Sequence, residues 1–172
     1  MARVSYAEPS AEELAFRARE GSSPPNLQLA VAHAKEVARG QLELVRAITA
    51  GMEPRLKELV ILQHARISGN AYCWGHHVPP ALAAGLTEVE LRALRVGDLD
   101  GFGSTERAVL DYVAAVEECR VTDREWADVA TGRTSEDLVK LTALVGYYSM
   151  TSRVQSALDV AQDDGFGGFD TP

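Results

Sequence analysis

"PRLKELVILQHARISGNAYCWGHHVPPALAA", residues 54–84, is the stretch on which the fold turns. Gly69 divides it into two runs with helical spacing, 54–68 and 70–84. Pro54 suits the first turn of a helix, where its missing N–H would have no partner anyway. A single glycine is too short a link for anything but two helices that are neighbours in space, so an antiparallel helix hairpin is expected. Pro79 and Pro80 cannot donate to the carbonyls of Gly75 and His76, and a kink or restart of the second helix is expected there.

The same pattern extends outward. Helices are expected near 10–20, 26–39, 41–50, 87–95, 104–119, 122–131 and 134–162. Ser10 with Glu13, Thr87 with Glu90 and Thr122 with Glu125 fit the capping box, and Thr134 with Asp137 is a shorter-armed version. Ser104 or Thr105 is a candidate cap for "ERAVLDYVAAVEE". No period-two run bounded by turns is present, which excludes an extensive sheet and gives an all-α fold class. The last long segment places Leu138, Leu141, Val145 and Tyr148 on one apolar stripe, and Gly146, Ser149, Ser152 and Ser156 on a small-residue strip suited to close helix packing. Residues 1–172 read as one domain, with an N-terminal helix and loop over 1–25 and a Gly-rich mobile tail over 163–172, in which Phe166 and Phe169 are able to dock on a neighbour.

Composition narrows the function. Apolar residues make up 46% and charged residues 24%, ordinary for a soluble globular protein with a real core. The net charge of -8, with no run of Lys and Arg, argues against nucleic acid as a partner. No apolar run reaches the length of a membrane span, and the charged N-terminus does not resemble a secretory signal, so a cytoplasmic location is expected. Cys73 and Cys119 are then expected as free thiols.

The chemistry sits on the hairpin. Glu58 falls in the sector of Ile61, Leu62 and Ala65, and a carboxylate among apolar side chains needs a partner; Arg55 or Arg66 would be the structural one. On the next helix Asn70, Cys73, His77, Ala81 and Ala84 share a face, with Trp74 at its edge and His76 about 100° away. Cys73 and His77 at i, i+4 fit either a thiolate nucleophile beside an imidazolium or a proton-transfer histidine partnered by Glu58. Three mixed ligands without a recognised spacing do not make a metal site, and no metal or cofactor is expected.

"RLKELVILQHARISGNAYCWGHHVPPALAAGLTEVELRAL" resembles the carboxymuconolactone decarboxylase family, which includes the alkylhydroperoxidase D-like (AhpD-like) proteins. The likeness is close over 54–95 and weaker through "VGYYSMTSRVQSALDV". It implies an AhpD-like all-helical domain, assembled as a homo-oligomer such as a trimer or hexamer. It places the family glutamate on Glu58, the second cysteine of the peroxidase CxxC pair on Cys73 and the histidine on His77. The first cysteine position falls on Asn70, so the resolving thiol of a two-cysteine peroxide cycle is missing. The resemblance therefore favours a decarboxylase-like enzyme, with His77 as acid–base, Glu58 and Cys73 beside it, and Asn70 and Trp74 as candidate contacts for a small carbonyl or carboxylate substrate. A thiol-dependent hydroperoxide reductase acting through Cys73 and a helical oligomer that binds a small molecule without turnover are the alternatives.

Overall fold

The computed structural model describes residues 2–9, 14 and 25–166. Among them are eight helices and no strand: α1 (Asn26–Val31), α2 (Lys35–Thr49), α3 (Pro54–Ile67), α4 (Ala71–Ala83), α5 (Glu88–Val96), α6 (Ser104–Glu117), α7 (Asp123–Ala130) and α8 (Ser135–Ala157). The expected helix at 10–20, the Ser10–Glu13 capping box and Phe169 lie outside the described residues.

The hairpin is the centre of the molecule. α3 and α4 pack more extensively than any other pair, and α3 also packs on α6 and α8. Gly69 turns the chain in the left-handed region, at φ 63°, and Asn70 closes the turn by donating its N–H to Ala65 O at 2.9 Å. Every residue from Glu58 to Ala65 is buried. A helix enclosed on all sides is apolar nearly all round, and Leu59, Val60, Ile61 and Leu62 meet that demand. Each such side chain contributes about 1.5–3 kcal/mol through its removal from water.

Local chemistry sets the helix ends much as the sequence suggests. Thr87–Glu90, Thr122–Glu125 and Thr134–Asp137 all form complete capping boxes. α6 differs: Gly103 is its N-cap and no side-chain cap forms, so neither Ser104 nor Thr105 takes that role. The expected 26–39 helix is interrupted by a turn at 32–34, while Gly40 lies inside α2. A glycine inside a helix costs about 1 kcal/mol, and α2 carries that cost at an exposed position. α4 runs past Pro79 and Pro80 to Ala83 as one helix rather than restarting. α8 ends at Ala157, not 162, because Asp159 adopts φ 52° and Val160 N–H turns back to Gln155 O.

Arg55 ties three helices together. Its guanidinium meets Glu90 at 2.5 Å and Glu106 at 2.7 Å, and donates to Gly85 O at 2.9 Å. The N-terminal strand of chain, 2–9, crosses α1 and the end of α8: Arg3 N–H donates to Leu158 O and Ala7 N–H to Leu29 O. Residues 163–166, read from the sequence as the start of a mobile tail, are held against α4. Asp163 accepts from Tyr72 at 2.7 Å and from His76 at 2.8 Å, and the Phe166 ring stacks on His76 at 4.1 Å. Docking of Phe166 was one of the expectations; the carboxylate that anchors the segment was not.

Candidate active site

The candidate site forms where α3 and α4 cross. Glu58 is 1% exposed, yet its carboxyl group is fully engaged. Oε2 lies 2.8 Å from His77 Nδ1 and Oε1 2.8 Å from Lys57 Nζ. The partners anticipated from spacing are committed elsewhere, Arg55 to Glu90 and Glu106, and Arg66 to Gln63. Burial raises the Glu58 pKa, but the hydrogen bonds and charges of His77 and Lys57 outweigh it and hold the carboxyl below its ordinary value. A carboxylate only accepts, so Nδ1 of His77 carries the hydrogen and Nε2 keeps the lone pair. The His77 side chain retains 20% exposure, whereas Glu58 is closed off.

Cys73 sits one turn before His77 and is buried; burial, and then the Glu58 charge, push its thiol far above the usual range. Cys119 is a free, exposed thiol at the end of α6. Asn70 serves as the N-cap of α4: its Oδ1 accepts from Cys73 N–H at 2.7 Å, and its amide donates to Gln155 at 3.3 Å. Where a CxxC pair would hold a second thiol, this chain has a helix cap. Trp74 is fully buried in the core, with an indole N–H that has no partner among the described residues.

A glutamate on one helix, and a cysteine and histidine four apart on the next, are the features that the sequence resemblance assigned, and residues 35–115 match the carboxymuconolactone decarboxylase family. The match spans 81 of the 172 residues, from the start of α2 to near the end of α6. Solved structures agree on the fold. The chain is similar to the alkylhydroperoxidase AhpD core of an uncharacterized peroxidase-related protein from Ralstonia eutropha JMP134, at TM-score 0.84 and 18% identity over 96% of this chain and 94% of that one. It is similar to an uncharacterized peroxidase-related protein from Silicibacter sp. TM1040, at TM-score 0.82 and 16% identity over 97% and 94% of the two chains. A cysteine-to-alanine variant of the debrominase Bmp8, in complex with 2,3,4-tribromopyrrole, matches at TM-score 0.80 and 17% identity over 96% of each chain. No curated protein sequence matches significantly.

Tyr148, which the sequence placed on an apolar stripe and, with Tyr147, offered as a candidate substrate contact, meets His77 edge-on at 5.2 Å. Burial holds its phenol well above the ordinary value, so it stays neutral beside the Glu58 carboxylate. Tyr147 packs edge-on against Tyr148. Lys57, next to Glu58 in the chain, also went unread. His76 turns away from His77, as the 100° offset predicts, and binds Asp163; burial lowers its pKa despite that carboxylate. Among the described residues no three His, Cys, Asp or Glu side chains are grouped to hold a metal ion. No described helix is long and apolar enough to cross a membrane.

Another His–carboxylate pair, absent from the sequence reading, lies at the C-terminal end of α3. His64 Nδ1 is 2.7 Å from Glu117 Oε1, and His64 Nε2 is 2.8 Å from Ser152 Oγ. Ser149 Oγ also donates to Glu117 at 2.5 Å. Two members of the small-residue strip of α8, Ser149 and Ser152, thus make polar contacts to α3 and α6. A cavity of about 630 Å³ opens on this cluster, and Asn70 forms part of its wall.

Proposed function

We propose that the protein is a decarboxylase-like enzyme in which His77 moves a proton to or from a small carbonyl or carboxylate substrate of lactone type. The observation that carries this reading is the 2.8 Å contact between His77 Nδ1 and the buried Glu58 carboxylate. A buried acceptor fixes the imidazole tautomer, orients the ring and stabilises the imidazolium that forms when Nε2 takes a proton. Lys57 holds the other carboxylate oxygen, which keeps Glu58 ionised and prevents it from taking the proton itself. Tyr148 restricts the ring from its edge. Asn70 and Trp74 act on this site as scaffold, the first as the cap that fixes the start of α4 and the second from the core behind it.

Thiol chemistry at Cys73 is disfavoured by the same environment, because the reactive species is the thiolate and the Glu58 charge opposes its formation. We also propose a homo-oligomer: Val37 and Leu44, seven residues apart on α2, are about half exposed and flank the exposed Gly40 on one face of that helix.

The test is hydrogen–deuterium exchange at acidic C–H positions, and carbon dioxide release, across a panel of small lactone acids and β-keto acids, followed by NMR. The wild type is expected to process at least one member. His77→Ala should lose about 10²- to 10⁴-fold while folding normally, Glu58→Gln should lose less, and His76→Ala should change little. Undiminished turnover in His77→Ala would end the proposal.

A further inference from the structure

The cavity beside His64 is chemically distinct from the Glu58–His77 crossing, and its cluster has the order of a nucleophile relay. His64 and Glu58 are six residues apart on α3, which sets them about 120° apart around the helix axis. They therefore point to different sides of α3, with the Tyr148 ring between them, 5.2 Å from His77 and 6.3 Å from His64. His64 is 1% exposed, and both ring nitrogens are engaged, Nδ1 by Glu117 and Nε2 by Ser152. Since the carboxylate can only accept, Nδ1 donates to it, and in the neutral ring Nε2 accepts the Ser152 hydroxyl hydrogen. Ser149 behaves otherwise: its hydroxyl is directed to Glu117 and to Val145 O, one turn back on its own helix. Ser152 gives its hydrogen to an imidazole that is itself backed by a carboxylate, and all three side chains line the cavity. Burial raises the Glu117 pKa, but hydrogen bonds from His64 and Ser149 bring it below the ordinary value, so the backing carboxylate is ionised. Arg153, next in sequence to Ser152, brings a positive charge to the same wall, and Asn70 and Gln155 make that wall polar.

We infer that Ser152, His64 and Glu117 form a second reaction centre, a serine nucleophile with its general base and orienting carboxylate, directed at short polar acyl esters. In the first step the Ser152 hydroxyl proton passes to His64 Nε2 as Oγ bonds to the ester carbonyl carbon. His64 then returns the proton to the departing alkoxide, which leaves as the alcohol. The acyl group remains on Ser152 until water, deprotonated by His64, attacks it and releases the carboxylic acid, restoring the serine. Ester and water become acid and alcohol, with no redox change. Arg153 is suited to the negative charge that develops on the carbonyl oxygen. This centre does not depend on the proton-transfer reading of His77.

The experiment is labelling of the intact, full-length protein with a small alkyl fluorophosphonate at neutral pH, followed by intact-mass measurement and peptide mapping, in parallel with hydrolysis of p-nitrophenyl acetate. One adduct on Ser152 is expected. Ser152→Ala should abolish the adduct and return hydrolysis to the buffer rate. His64→Gln should slow labelling about 10²- to 10⁴-fold. Ser156→Ala, on the same strip, should label at the wild-type rate. Because His64 is buried and its replacement can disturb folding, Ser152→Cys supplies an independent reading: its thiol, activated by His64, should be alkylated by iodoacetamide faster than the exposed Cys119 of the same molecule. A folded wild type that takes up no probe, an adduct on another residue, His64→Gln labelling at the wild-type rate, or a Cys at 152 slower than Cys119 would each overturn the inference.

Discussion

Glu58 shows how a single buried charge can be both structural and chemical. Its carboxyl group is held below its ordinary pKa by His77 and Lys57 in spite of burial, so it binds fewer protons folded than unfolded at mildly acidic pH. A depressed carboxyl pKa contributes stability that is fully present above the unfolded value, near 4.5, and is lost as pH falls through the lower folded value. Urea midpoints measured from pH 7 down to pH 3 should therefore fall on the acid side for the wild type, and Glu58→Gln should flatten part of that decline while lowering stability at pH 7. Cys73 gives a second prediction at this scale. With its thiol buried and pushed upward, native protein treated with iodoacetamide should be alkylated at Cys119 first, with Cys73 modified only on unfolding; peptide mapping separates the two. Glu58, Cys73 and His77 were legible as a constellation because 3.6-residue periodicity puts them on facing sides of adjacent helices. His64 was not legible. Its partners Glu117 and Ser152 lie 53 and 88 residues further along the chain, and no local spacing encodes such a pairing.

Among the elements, α4 is the clearest case of local sequence and distant chain acting together. Its start was readable from Gly69 and Asn70, although Asn70 proved to be a cap rather than only a pocket residue. Its outer face was readable only in part: docking of Phe166 was expected, but the Asp163 carboxylate that anchors residues 162–166 over it was not. Gly75 makes that cover possible: a Cβ there would come within 2.6 Å of Phe166 O and 2.7 Å of Gln162 Nε2. Glycine to alanine inside a helix ordinarily stabilises by about 1 kcal/mol. Here Gly75→Ala should reverse that sign and destabilise by about 1–3 kcal/mol through overpacking, since the obstructing atom is a backbone carbonyl. Limited proteolysis should cut the variant near 162–166 faster than the wild type, and its urea midpoint should fall. Of the kink or restart expected at the two prolines of α4, the restart does not occur. The sequence rule that proline ends a helix rests on lost hydrogen bonds, and packing against α3 sustains α4 through both.

Over the described residues, the all-α architecture was legible because five of the eight helix starts carry a side-chain cap, three of them complete capping boxes, and the hairpin because its link is so short. The breaks near 32–34 and 158–160 were missed, as they depend on contacts with the N-terminal segment and on an aspartate in the left-handed region rather than on glycine or proline. The assembly belongs to this scale. If α2 is an interface between copies, sedimentation at micromolar concentration should give a species larger than a monomer, and Leu44→Glu should shift it toward the monomer without lowering helix content. A wild type that sediments as a monomer would leave α2 simply exposed.

The ties between the chain's opening residues and its closing ones bear on how the protein is made. Arg3 meets Leu158, Tyr6 receives the N–H of Ala161, and Asn26 N–H reaches Asp163 at 2.7 Å. Synthesis proceeds from the N-terminus, and early segments ordinarily begin to fold as they emerge. Here residues 2–9 and the first turn of α1 wait for partners translated more than 130 residues later. A nascent chain lacking the segment after Ala157 would carry the α3–α4 hairpin with Tyr72 and His76 uncovered, so this step of folding waits until residues 158–166 have been made and can close over α4.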